Sequence, residues 1–138
     1  RVWHAFPTPE ELAEAGEVGL RRLGLGFRAP YVAQTSLMVL EGKLDLAALA
    51  RMPYPEARAG LMECPGIGPK VADCICLFSL DKPEAFPVDV WVRRALAEWY
   101  FQDRKVPLDR VLREWAQEHF GYFGGYSQQY LFHGRRVG

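Results

Sequence analysis

No sign of charge predominates in this chain. Its 138 residues carry 17 Lys and Arg against 17 Asp and Glu, a balance that speaks against wide, unspecific phosphate binding, which needs an excess of cations. Cysteine is scarce and odd in number. Cys64, Cys74 and Cys76 stand in apolar surroundings, which fits reduced, buried thiols better than a disulfide framework. The three histidines are scattered and no paired ligand spacing occurs, so no metal site is expected. Neither an apolar run of membrane-spanning length nor a charged, apolar, small-residue leader is present, and the expectation is a soluble, intracellular, monomeric protein without a membrane partner. Alternating strands with hairpin signals are also missing.

What is present is enough apolar material, 49% of residues, to close a core. A single domain over residues 1–138 is expected. Arg1 opens the sequence and Gly138 closes it just after a helical pattern, which suggests a piece of a longer protein. The charge balance is expected to be global rather than local: acids gather in Glu10 to Glu17, while Arg21, Arg22, Arg28, Lys70, Arg93, Arg94, Arg135 and Arg136 are candidates for one basic face.

Every periodic segment reads as helix, several with proline in the first turn after a capping or loop residue. Helices are expected from Pro9 after Thr8, over Val18 to Leu23 with a stop at Gly24, Pro30 to Glu41, Leu44 to Arg51, and Pro55 to Glu63. Lys70 to Leu80 is nearly apolar all round and reads as a central buried helix. Val90 to Tyr100 behind Asp89, Leu108 to Phe120, and Tyr126 to Arg135 complete an all-α, multi-helix orthogonal bundle.

The densest chemistry lies in Leu61-Met62-Glu63-Cys64-Pro65-Gly66-Ile67-Gly68-Pro69-Lys70-Val71-Ala72, where one helix ends, a Gly-x-Gly turn follows and another helix begins. This is a helix-hairpin-helix pattern. Glycines allow dihedrals and close approach that side chains forbid, so the turn's amides can converge on a phosphate oxygen beside the positive helix end. Such turns also join helices that bind nothing. Lys70 sits in the first helical turn, where the dipole favours acids instead. Either it is a solvated or phosphate-binding lysine, or the helix end and partial burial lower its pKa toward a nucleophilic amine. Nineteen positions later Asp89 begins a new helix in Phe86-Pro87-Val88-Asp89-Val90. A cap explains it alone. A lysine paired with a carboxylate is also what cleavage of a deoxyribose glycosidic bond uses, the amine as nucleophile and the carboxylate to stabilise oxocarbenium charge.

The hairpin, Lys70 and Asp89 together resemble the helix-hairpin-helix Gly/Pro-Asp superfamily of DNA glycosylases. Within it, the run from Pro65 to Leu77 and on through Leu80-Asp81-Lys82-Pro83 to Val90 resembles the eukaryotic-type 8-oxoguanine DNA glycosylases, as do Phe6-Pro7, Leu23 to Ala29, Gln128 and Phe132. The resemblance implies a bifunctional glycosylase and β-elimination lyase acting on double-stranded DNA that holds oxidised guanine opposite cytosine. Lys70 would form the Schiff base and Asp89 assist expulsion of the base. Gln128 would read the Watson–Crick edge of a flipped base, with Phe132 on its face and Cys74 at its other side. Gly66, Gly68 and Val71 would grip the DNA backbone, and Phe27 and Arg28 would probe the gap and the orphan cytosine. No cofactor is implied, with room left for a structural monovalent or divalent cation at the hairpin. The compartment implied is nucleus or mitochondrion in a eukaryote, nucleoid in a bacterium.

Three departures narrow that expectation. The family's preceding β domain and asparagine-rich helices are absent, Trp91 stands where the family often has histidine, and no cysteine cluster follows Asp89 to hold an iron–sulfur centre. A glycosylase for another purine lesion and a non-catalytic helix-hairpin-helix DNA-binding module are the competing readings, with a plain structural bundle behind them.

Overall fold

The computed structural model describes residues 1–102 and 104–138. Among these lie eight α-helices: α1 Pro9–Arg22, α2 Ala29–Leu40, α3 Leu46–Arg51, α4 Tyr54–Met62, α5 Pro69–Ser79, α6 Val90–Tyr100, α7 Asp109–Phe120 and α8 Gly124–Val137. A short 3₁₀ turn, Gly26–Arg28, precedes α2. Strands are absent among the described residues, so the expected all-α bundle is what forms.

Local chemistry sets the helix starts. Thr8 and Glu11 form a reciprocal capping box on α1, with Thr8 N donating to Glu11 Oε2 at 2.8 Å and Glu11 N donating to Thr8 Oγ1 at 3.2 Å. Asp45 caps α3 by accepting from Ala48 N, which delays that helix to Leu46 and leaves Leu44 as a buried core residue. The two helices expected between Pro9 and Leu23 form and meet within α1 at a kink, where Gly16, with φ of 61° and ψ of −176°, interrupts the spiral.

Three apolar clusters hold the helices together. Leu20, Ala29 and Ala33 join α1 to α2. Leu49, Tyr54, Leu61, Ala72 and Cys76 join α3, α4 and α5. Val92, Leu96, Leu112, Ala116 and Leu131 join α6, α7 and α8. The connector from α5 to α6 stitches the last two, burying Ala85 in one and Phe86 and Val88 in the other.

Helix α5 departs from its expected role as an all-round buried hub. Ala72, Asp73 and Cys76 are buried, whereas Val71 is 40% and Phe78 61% exposed. Its apolar composition has two uses: one face closes the core and the other lines surface concavities. Glycine seats α8 across it. A Cβ at Gly125 would fall 2.3 Å from Leu77 Cδ1 and 2.8 Å from the carbonyl oxygens of Pro83 and Ala85, and Gly125 N donates to Pro83 O at 2.8 Å. Only glycine permits that approach. Gln128 lies three residues further on, one turn along α8. No helix among the described residues is long and apolar enough to cross a membrane.

Candidate functional site

The hairpin joins α4 to α5 through Glu63 to Gly68. Its two glycines do different work, which corrects the expectation of a shared conformational role. Gly66 has φ +80°, and a Cβ there would sit 2.4 Å from Cγ of Tyr31 on α2, so the turn is both left-handed and pressed against a ring. Gly68 has φ −92° and ψ −172°, extended backbone that any residue adopts, and a Cβ there would meet nothing within 4 Å. Its bareness instead leaves the start of α5 open. Pro69 follows as a residue without N–H, and Ala72 N closes the first helical bond to Gly68 O at 2.9 Å. No side chain caps this end, so the amides of Lys70 and Val71 have no partner among the described residues and point out with the positive end of the dipole.

One face of α5, the connector and α8 then converge on a pocket of about 260 Å³ lined by Lys70, Cys74, Phe78, Pro87, Asp89, Gln128, Gln129 and Phe132. Five residues singled out from the sequence, Lys70, Cys74, Asp89, Gln128 and Phe132, are thus brought together from three separate segments. Phe78, Pro87 and Gln129 are lining residues that sequence reasoning missed.

Asp89 is both a cap and a pocket wall: its Oδ1 accepts from Val92 N at 2.8 Å at the start of α6, and no other hydrogen bond engages the carboxylate among the described residues. Lys70 is exposed rather than partly buried as expected, because Pro69, Lys70 and Val71 open α5 at the surface before Ala72 and Asp73 turn into the core. Burial pushes the half-buried Cys74 thiol up; the nearby Lys70 ammonium pulls it down less strongly, and Asp73 and Asp89 push it further up. Cys74 is therefore a neutral wall. Phe132 packs against the α6–α8 core and lies under the Arg136 guanidinium, 5.7 Å from the ring centroid. Trp91 is half-buried with Arg94 stacked over it at 5.2 Å.

Phe27, Arg28, Gly66 and Val71 occupy a different place, an apolar groove of about 700 Å³ that also includes Phe6, Tyr31 and Ile67. Phe27 is 67% exposed on the 3₁₀ turn, with the Arg28 guanidinium 4.5 Å above its ring. Hairpin and 3₁₀ turn thus share one concave surface, adjacent to the Lys70 pocket through α5. The expected basic face is smaller than the eight residues named for it. Arg21 pairs with Glu17 at 2.9 Å, Arg93 with Asp109 at 2.6 Å and Arg135 with Glu98 at 2.9 Å, so three of those charges are met by carboxylates.

A second set of residues went unread in the sequence. Asp73, 1% exposed, accepts from Tyr54 Oη at 2.6 Å and from Arg58 Nε at 3.0 Å, and lies 3.9 Å from Arg113 Nη1. Gln117 Nε2 in turn donates to Tyr54 Oη and to Glu84 O. This network ties α4, α5, α7 and the connector together directly behind Lys70. Burial raises the Asp73 pKa, against the pull of Tyr54 and Arg58, and raises Tyr54 as well, with Asp73 adding to the effect. The signal was legible in one respect: Asp73 is the only charged residue between Lys70 and Asp81.

As for metals, no group of three or more His, Cys, Asp or Glu side chains is placed to hold one among the described residues.

Comparison with known proteins follows the same outline. Residues 1–118 match the HhH-GPD superfamily of base excision DNA repair proteins. The chain belongs to that superfamily. This HhH-GPD chain is 38% identical to a probable N-glycosylase/DNA lyase of Methanothermobacter thermautotrophicus, the alignment covering 99% of this chain and 49% of that protein. It is 34% identical to an N-glycosylase/DNA lyase of Arabidopsis thaliana over 94% of this chain and 38% of the relative. Among solved structures, the Clostridium acetobutylicum 8-oxoguanine glycosylase/lyase, in complex with double-stranded DNA containing cytosine opposite 8-oxoguanine, superimposes with a TM-score of 0.94 at 36% identity, covering 99% of this chain and 47% of that one. The HhH-GPD chain described here spans about half the length, or less, of these relatives.

Proposed function

We propose that this chain carries the catalytic helices of a DNA glycosylase and β-elimination lyase that removes 8-oxoguanine paired with cytosine. The observation that supports it most is the gathering of Lys70, Asp89, Gln128 and Phe132 around one pocket, next to the open amide end of α5. The backbone grip is assigned to the amides following Gly68, and the wedge and orphan-base contacts to Phe27 and Arg28 on the neighbouring groove. The flipped base enters the 260 Å³ pocket, where Phe132 stacks on it, Cys74 forms the opposite wall and Gln128 reads its edge.

Lys70 Nζ, as the free amine, attacks the deoxyribose anomeric carbon. The bond from that carbon to the base breaks with its electron pair going to the base, which leaves with a proton. Asp89 stabilises the positive charge that develops on the sugar as this bond lengthens. Loss of a proton and ring opening give the Schiff base, and removal of a C2′ proton then expels the 3′ phosphate by β-elimination. No step uses a metal. A structural cation at the hairpin would take no part in the chemistry on this reading; base release in the presence of a chelator is expected to continue unchanged.

Borohydride trapping tests the reading, with duplexes holding 8-oxoguanine opposite cytosine, unmodified guanine, or an abasic site. The expected result is a covalent adduct that needs Lys70, is lost in Lys70→Gln and favours the oxidised base. Trapping of another purine lesion in preference would shift the substrate, and binding without any trapping would make the chain a DNA-binding module. Nuclear, mitochondrial or nucleoid location follows from a DNA substrate and belongs to the same proposal.

A further inference from the structure

Gln128 is 4% exposed, and a buried primary amide has to find partners at both ends. Its Nε2 donates to Pro87 O at 3.0 Å. A carbonyl can only accept, so this contact decides which way the amide faces and turns Oε1 away from Pro87. There Oε1 accepts from Gln129 Nε2 at 2.5 Å. Gln129 is the next residue on α8, is exposed, and lines the same pocket. Successive helical residues point about 100° apart, so the Gln129 side chain reaches its neighbour by folding back along the pocket wall. One lone pair of the acceptor assigned to reading the base is thus already engaged, by a pocket-lining donor, within the DNA-free chain.

We propose that Gln129 is a placeholder donor, a positioning residue whose amide occupies Gln128 Oε1 until a purine bearing an N1–H displaces it. This rests on the base-reading role proposed for Gln128. A 6-oxopurine such as guanine or its 8-oxo form offers a hydrogen at N1 and replaces the lost bond one for one. Adenine offers a lone pair at N1, so its entry breaks the Gln128–Gln129 bond and sets acceptor against acceptor. With the Pro87 carbonyl setting the orientation of the reading amide, Gln129 places a threshold on entry of the base. An abasic site brings no base and leaves the pair undisturbed.

The test is single-turnover base release from a duplex holding 8-oxoguanine opposite cytosine, titrated with the unsubstituted chain and with Gln129→Leu. Removing the competing donor leaves Oε1 unpartnered in the DNA-free chain, so the half-saturating enzyme concentration is expected to fall roughly two- to tenfold, the worth of one net hydrogen bond. The maximal rate should not change, since displacement precedes chemistry. Borohydride trapping at an abasic site should also stay the same, which a general structural effect of the substitution would not allow. In a Gln128→Leu background, Gln129→Leu is expected to have no further effect. A half-saturation point that rises or stays put, or an equal shift at the abasic site, overturns the placeholder role while base release by the unsubstituted chain keeps the proposed function standing. Failure of the unsubstituted chain to release any 6-oxopurine removes the proposed function and the placeholder together.

Discussion

Adding one methyl group at Gly66 should be among the most damaging small changes available to this chain. The Cβ would lie 2.4 Å from Cγ, 2.5 Å from Cδ2 and 2.9 Å from Cβ of Tyr31. Because Cβ and Cγ sit close to the α2 backbone, rotating the tyrosine ring cannot clear the contact; α2 or the hairpin itself has to shift. Overpacking of that kind costs about 1–3 kcal/mol. The backbone adds its own penalty, since φ is +80° and a side chain in the left-handed region costs about 1–2 kcal/mol. Gly66→Ala is therefore expected to lose about 2–5 kcal/mol of a total stability on the order of 5–15 kcal/mol, read as a lower urea midpoint at constant slope. A double-mutant cycle separates the causes: a Tyr31→Ala background removes the contacts with Cγ and Cδ2, so most of the steric part should go, leaving the dihedral part and the 2.9 Å approach to the retained Cβ. Gly68→Ala supplies the contrast, because its Cβ meets nothing within 4 Å and its φ is −92°; it should fold normally yet bind duplex DNA less tightly by crowding the open end of α5. A Gly66→Ala loss below about 1 kcal/mol, or one that Tyr31→Ala does not relieve, would refute the packing argument.

Asp89 separates cap from catalyst: Asn caps nearly as well as Asp, so Asp89→Asn should melt close to the unsubstituted chain while base release falls about 10²–10³-fold through loss of the negative charge, and full activity in that variant would reduce Asp89 to a cap. Asp73→Asn leaves Arg58 and Arg113 without their carboxylate, and Arg58 Nη2 and Arg113 Nε already have no hydrogen-bond partner in the described structure; a loss of about 3 kcal/mol is expected in urea titration, and an unchanged midpoint would show the network to be dispensable. Cys76 provides a pH test. Burial pushes its thiol from 9.0 up to about 11, so the folded state holds this proton more tightly than the unfolded state, and the contribution is full below pH 9 and lost as pH rises toward 11. Thermal melts should show that alkaline decline, and Cys76→Ala should make it shallower, with the raised Cys74 and Tyr54 supplying the remainder; an equally steep decline in the variant would place its origin elsewhere.

Much of this architecture could be read from residue types alone, because the chain marks its helix starts openly. Thr8-Pro9 and Asp89 cap or open helices as their chemistry dictates, whereas the Asp45 cap went unread and moved an expected start from Leu44 to Leu46. The resemblance named Lys70, Asp89, Cys74, Gln128 and Phe132, yet their meeting in one pocket depends on Gly125 docking α8 onto Leu77 and the connector, a tertiary contact with no local signature. Helix α5 misled for a related reason. Apolar composition predicts burial on every side, but Val71 and Phe78 line concavities that a lattice of core contacts never fills. Ion pairs were equally invisible: Arg93 meets Asp109 sixteen positions away, and Asp73 gathers partners from α4 and α7. Gln129 carried no signal in the sequence, and only its hydrogen bond to the Gln128 amide, turned by the carbonyl of Pro87, brings it into view.

On the proposed function, one helix carries both the hand that holds the strand and the tool that cuts it. The open amides of α5 and Lys70 are neighbours within a single rigid turn, and Asp73 anchors that turn from behind. At a rise of about 1.5 Å per residue, the spacing between the open amides and the Cα that bears the lysine side chain cannot be changed without melting the helix. On the proposed function α5 is a ruler: it fixes, by its own pitch, which nucleotide along the strand is presented to the amine, whatever the sequence on either side.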